Sequence, residues 1–275
     1  MKKLAIATLT GGIVGAVIIL LFMFVFDINK RNKEDGLRLV TNDSTENAKD
    51  HKEKMLMYGD YMDLDSTDYM LIPLGMKNLE SQKRMSSKMS AVRPASVEVP
   101  ETEEKIVDYE TSKYNFYALA FGNCNNIIFY NKKSEETHLL LQKPAIISEF
   151  YFPYSYKNYK WKKYSFLLLG IREDDTNADG YINDEDAEKV YTADLSGANM
   201  IQITPDNTQL MDWSIDSTTN NVLLKVRFDS NKDQKFNDYD DTDILKTQIG
   251  NFSKGQPIIN TEIKKNIQSI LNKIK

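Results

Sequence analysis

The sequence predicts an all-β fold of antiparallel sheets, with one transmembrane helix before it and one short helix after it, and three observations carry the prediction. After Tyr114, short runs rich in Phe, Tyr, Ile, Leu and Val recur at intervals of roughly 10 residues between polar turns, which is strand spacing. An uncharged stretch fills the N-terminus. The C-terminal isoleucines recur at helical intervals instead of alternating.

Composition bounds the rest. The 275 residues are 41% apolar and 27% charged, enough for one or two domains with a core and too polar for a polytopic membrane protein. Lys and Arg number 35 against 40 Asp and Glu, so no basic field exists to displace phosphate counterions, and nucleic acid is not an expected partner. Cys124 is the one cysteine, and His51 and His138 are the two histidines. These numbers exclude a disulfide framework, a thiolate zinc site and a His-rich metal site.

From 4 to 26 the chain carries no charge, and at about 1.5 Å per residue such a helix crosses a hydrocarbon core of about 30 Å. A cleaved signal peptide has a shorter apolar part ending in small residues, whereas this one ends Leu-Phe-Met-Phe-Val-Phe. Residues 1–27 therefore read as an uncleaved signal anchor. Gly11 and Gly15 stand at G-x-x-x-G spacing, which suits a close helix partner and equally an ordinary lipid-facing helix. Lys2 and Lys3 on one side nearly balance Lys30, Arg31 and Lys33 on the other, so charge alone leaves the orientation open.

Residues 28–54 are polar with little to bury, a solvated tether in which His51 has no special role. Residues 55–275 form the folded domain. Apolar runs in 55–77 supply its first strands, while 78–112, rich in Ser, Lys and Glu with Pro94 and Pro100, reads as a flexible insertion. Further strands are expected at 116–121, 126–131, 138–141, 148–152, 165–171, 189–194, 200–204, 210–215, 222–228 and 244–248. Ile263, Ile267, Ile270, Leu271 and Ile274, after an Asn260 cap, predict a helix over 261–274 docked on the sheet, with a membrane-surface helix as the alternative its lysines permit.

The chemically sharp feature is residues 175–186. Oxygen-bearing side chains stand at loop positions 1, 3, 5, 9 and 12 (Asp175, Asn177, Asp179, Asn183, Asp186), with Gly180 at position 6 and Ile182 at position 8. Calcium takes six to eight hard oxygens at about 2.3–2.6 Å, so a chain that wraps it turns sharply at position 6, where glycine is comfortable. The Tyr181 carbonyl supplies the position-7 ligand in this reading. Residues 229–240 repeat the pattern with Asp229, Asn231, Asp233, the Lys235 carbonyl, Asn237 and Asp240, with Phe236 at position 8. Gln234 replaces the glycine, at a cost on the order of 1 kcal/mol for a left-handed backbone.

Both loops resemble the calcium loops of EF-hands and dockerins, which implies Ca²⁺ as the cofactor. Those loops lie between helices, whereas the flanks here, FLLLGIRED and AEKVYTADL, VLLKVRFDS and DTDILKTQI, read as paired strands. The ion would then clamp a β-hairpin connection. Position 12 is a short Asp where sensors carry a bidentate Glu, so the affinity falls toward the about 10⁻⁴–10⁻³ M of extracellular modules. Such sites suit a domain outside the cytoplasm, and this breaks the tie left by the flanking charges in favour of an extracytoplasmic domain.

A strand at 190–194, a Ser196-Gly197 turn, an Ile203-Thr204-Pro205 close and a Trp213-Ser214 step resemble one blade of the TolB-type, WD-repeat-like propeller class. Residues 126–141 are similar in outline, with His138 a packed or surface residue. A complete propeller has at least four blades, and 114–250 holds about three, so either 55–77 closes it or the sheets form an open, incomplete stack, which is the arrangement favoured. No nucleophile elbow, P-loop, dinucleotide fingerprint or H-E-x-x-H motif occurs, and no catalytic residues are expected; Glu149 and Asp212 are the only carboxylates outside the loops worth weighing. The aromatic run 150–161 is a contact platform or a packed core. The expectation is a membrane-anchored periplasmic or extracellular calcium-binding module, structural or interacting with an envelope protein or its own copies. A carbohydrate-binding or hydrolytic envelope domain is the alternative.

Overall fold

The structure is a computed structural model describing residues 36–38, 54–64, 67–78, 114–115, 123–151 and 164–273. The expected membrane span, nearly all of the 78–112 insertion, the expected strand at 116–121 and the aromatic run past Tyr151 lie outside those residues. Among the described residues no helix is long and apolar enough to cross a membrane.

Among the described residues, sixteen strands and one helix form an antiparallel all-β fold. In chain order the strands are β1 (Leu37–Arg38), β2 (Lys54–Tyr58), β3 (Met62–Asp63), β4 (Tyr69–Asn78), β5 (Tyr114–Asn115), β6 (Cys124–Asn131), β7 (Thr137–Leu139) and β8 (Ile146–Tyr151). There follow β9 (Phe166–Arg172), β10 (Tyr181–Ile182), β11 (Lys189–Asp194), β12 (Ile201–Gln202), β13 (Thr208–Asp216), β14 (Asn221–Phe228), β15 (Thr242–Gln248) and β16 (Asn251–Pro257), then the helix α1 (Thr261–Leu271).

The pairings resolve into three successive four-stranded meanders: β2-β4-β6-β7, β8-β9-β11-β12 and β13-β14-β15-β16. The first two are joined into one ten-stranded sheet by a single pair, Cys124 with Ile147. Burial explains the stacking. Along β9, Leu167, Leu169 and Ile171 enter a core shared with Leu71, Ile127 and Phe129 of the first meander, while Phe166 and Leu168 enter one shared with Trp213, Leu224 and Leu245 of the third. The middle meander is therefore covered on both faces, and β9 is buried at every position. By contrast β15 alternates exposed and buried, as a strand with one wet face must. Trp213 Nε1 donates to Glu149 Oε2 at 2.9 Å, a polar stitch between the second and third meanders.

The turn at Gly197 shows why glycine stands there. Its φ is +79°, and a Cβ would lie 2.6 Å from the Phe129 ring.

Two expectations are corrected. The 28–54 spacer is not wholly solvated: Leu37 is buried with Ile146 and Ile182. Helix α1 forms behind its Asn260 cap, whose Oδ1 accepts the Ile263 N–H at 2.9 Å, but none of its residues is buried. It is held by ion pairing of Lys264 with Asp243 instead of by its isoleucines. Apolar spacing defines a stripe on a helix and does not say what covers it.

Candidate calcium loops

The second and third strands of the middle meander, β9 and β11, pair antiparallel on either side of residues 175–186. Those of the third meander, β14 and β15, do the same on either side of residues 229–240. The flanks are hairpin strands, as the sequence predicted. Each loop thus leaves its meander at the same place, between second and third strands, and in the first meander the long 79–123 connection occupies that place.

Within each loop the side-chain oxygens take up backbone N–H groups in one pattern. Asp175 accepts from Asp179 at 3.0 Å and from Gly180 at 2.8 Å, Asn177 accepts from Asp179 at 3.1 Å, and Asp179 accepts from Tyr181 at 3.0 Å. Asn183 accepts from Glu185 at 2.7 Å, and Asp186 accepts from Thr176 at 2.7 Å and Asn183 at 2.8 Å. In the second loop Asp229 accepts from Asp233 and Gln234, both at 3.1 Å, Asn231 from Asp233 at 3.0 Å, and Asp233 from Lys235 at 2.9 Å. Asn237 accepts from Tyr239 at 2.9 Å, and Asp240 from Ser230 at 3.1 Å and Asn237 at 3.0 Å. All seven bonds join the same loop positions in both. The backbone agrees, with left-handed φ at position 4 (Ala178 +58°, Lys232 +60°) and at position 6 (Gly180 +86°, Gln234 +63°). Gln234 adopts the conformation its position demands.

Sequence reasoning missed one residue in each loop. The position-2 hydroxyl accepts from the first residue past the loop: Thr176 Oγ1 from Ala187 at 2.9 Å, Ser230 Oγ from Asp241 at 3.0 Å. A hydroxyl at position 2 of both copies was the available signal.

The loops differ in their surroundings. In the first, Ile182, Asn183 and Asp186 are buried, and the buried Arg172 donates through Nε to the Asp186 carbonyl at 3.3 Å while its other end pairs with Glu188 at 2.5 Å. In the second, only Asp240 is buried and most residues are exposed. Burial pushes the Asp186 carboxyl above the usual carboxylate range, against hydrogen bonds from Asn183, Thr176 and Asn177 that pull it down.

The residues present suit a hard divalent cation. Every donor is a carboxylate, amide or peptide oxygen, and a carboxylate accepting one or two N–H groups keeps lone pairs free. Asn183 Nδ2 is buried without a hydrogen-bond partner in a residue 3% exposed; as a donor it cannot ligate a cation, and the Asn183 oxygen is the atom that would. Among the described residues no three His, Cys, Asp or Glu side chains gather closely enough to hold a metal on their own.

Elsewhere, His138 is an exposed residue: its ring stacks on Phe129 with centroids 5.2 Å apart, and its Nε2 lies 2.8 Å from the Ser196 carbonyl. Glu149 and Asp212 both engage Trp213. Compared with protein-family models, curated proteins and solved structures, the chain matches none.

Proposed function

We propose that the chain is a membrane-anchored extracytoplasmic module in which calcium clamps equivalent hairpins of an open, propeller-like stack of three β meanders. The observation that carries this reading is the recurrence of one seven-bond frame, with the same two left-handed residues, at the same place in two meanders. Asp175, Asn177, Asp179, the Tyr181 carbonyl, Asn183 and Asp186 would hold one ion. Asp229, Asn231, Asp233, the Lys235 carbonyl, Asn237 and Asp240 would hold the other. A bound cation supplies the charge that offsets crowded acidic oxygens. The protein's own contribution is the loop backbone, left-handed at positions 4 and 6, and the ion would draw together the carboxylate oxygens that otherwise lean on backbone N–H groups.

Both clamps tie second strands to third strands, which stiffens the stack without building a reactive centre. This supports a structural or docking role toward an envelope protein or further copies of the chain. Metal analysis after dialysis against calcium tests the reading: two equivalents are expected in the wild type and none in a protein carrying both Asp175→Ala and Asp229→Ala. A C-terminal fusion protected from protease added to intact spheroplasts would contradict the location.

A further inference from the structure

The first calcium loop has a strand partner that the sequence does not announce. Its positions 7 and 8, Tyr181 and Ile182, form β10, and β10 pairs antiparallel with β1, Leu37 with Ile182 and Arg38 with Tyr181. Leu37 is buried against Ile182 and Ile146, with Met76 packed on them. Two residues from the segment that follows the expected membrane span are thus held by the loop itself and by the junction of the first two meanders.

We propose that docking of this juxtamembrane segment and calcium binding in the first loop are one coupled event. The inference rests on the calcium reading of that loop. Its basis is that one short stretch of backbone serves both partners. Tyr181 gives its N–H to Asp179 at 3.0 Å and would offer its carbonyl as the position-7 ligand, while Tyr181 and Ile182 together carry the strand pairing and Ile182 the apolar contact with Leu37. A two-stranded pairing of two residues is too small to persist alone. It needs β10 already extended, and the ion fixes that backbone. In the second loop the corresponding residues, Lys235 and Phe236, lie in no strand, so no such coupling arises there.

The consequence is a change of reach. With the span ending at Phe26, the chain extends at most about 40 Å to Leu37 and about 100 Å to Lys54. Calcium therefore draws the domain toward the membrane, and its loss lengthens the tether. Linkage makes the effect reciprocal: whatever factor calcium adds to docking, docking adds to calcium affinity, on the order of tenfold for a coupling of this kind.

The test is hydrogen exchange of the full chain in detergent micelles, followed at the peptide containing residues 36–38, alongside calorimetric titration with calcium. Protection of that peptide is expected in calcium, and is expected to vanish in EGTA and in Asp179→Ala but persist in Asp233→Ala. Leu37→Asp is expected to weaken the tighter calcium site about tenfold. Equal protection with and without calcium, in a protein whose first loop titrates, would overturn the coupling and leave the calcium reading standing. A titration with no calcium binding at all would remove both.

Discussion

The two loops share a hydrogen-bond frame and differ in almost everything outside it. The first is seated between meanders, with Ile182 1% and Asp186 1% exposed, a buried arginine on its last carbonyl and β1 along its edge. The second projects from the outermost meander with Asp233 and Gln234 exposed and Tyr239 94% exposed. The comparison separates two causes. The frame follows from a dozen residues, because the Asp and Asn side chains at positions 1 to 9 reach N–H groups two to five positions ahead and the Asp at position 12 reaches back to positions 2 and 9. Burial follows from what the rest of the chain places against the loop. In the calcium reading proposed above, metal selectivity would belong to the frame, and affinity and consequence to the burial.

The largest expected contrast concerns position 8. Ile182→Ala empties a fully buried site and is expected to cost about 2–4 kcal/mol, whereas Phe236→Ala, at a half-buried position in a solvated loop, costs clearly less. Paired urea unfolding curves measure both, and equal costs would erase the distinction between seated and projecting loops.

Next in size is the response to calcium. Asp179→Ala is expected to abolish most of the thermal stabilisation that calcium gives, and Asp233→Ala a smaller share, read from melts with and without EGTA. The smallest effect sharpens the frame itself. Gln234 sits at φ +63°, so Gln234→Gly relieves a strain on the order of 1 kcal/mol and is expected to raise second-loop calcium affinity about fivefold by calorimetry. Gly180→Gln should lower the affinity of the first loop through the backbone alone, since a Cβ there meets no atom within 4 Å.

Much of this was legible in advance, for physical reasons that differ by element. Strand β11 was read at its full extent, Lys189–Asp194, because KVYTAD is rich in strand-forming side chains and ends at a turn. The loop flanks were read as hairpin strands for the same reason. Strand β16 was not read: NFSKGQP has neither alternation nor apolar content, and it exists because β15 offers it an edge. Strand β1 was hidden too, since one leucine in a charged spacer carries no periodicity, and its burial depends on a loop 140 or so residues away. The apolar stripe of α1 was visible, but Ile263, Ile267, Ile270 and Leu271 remain exposed. In the loops, the ligand-type residues were legible from spacing, whereas the position-2 hydroxyls recur in both copies but their role was not legible, because their partners lie just outside the motif.

The central claim is that both loops hold calcium in the folded state, and thermal melts of the full chain in calcium and in EGTA test it most directly. Calcium at a hundredfold excess over Kd stabilises by about 2.7 kcal/mol per site. For a domain of this size that raises Tm by roughly 5–10 °C for one filled loop, and by more for two. The account predicts such a rise in the wild type, reduced in Asp179→Ala and lost in the double variant Asp179→Ala with Asp233→Ala. Superimposable wild-type melts in calcium and EGTA would contradict it.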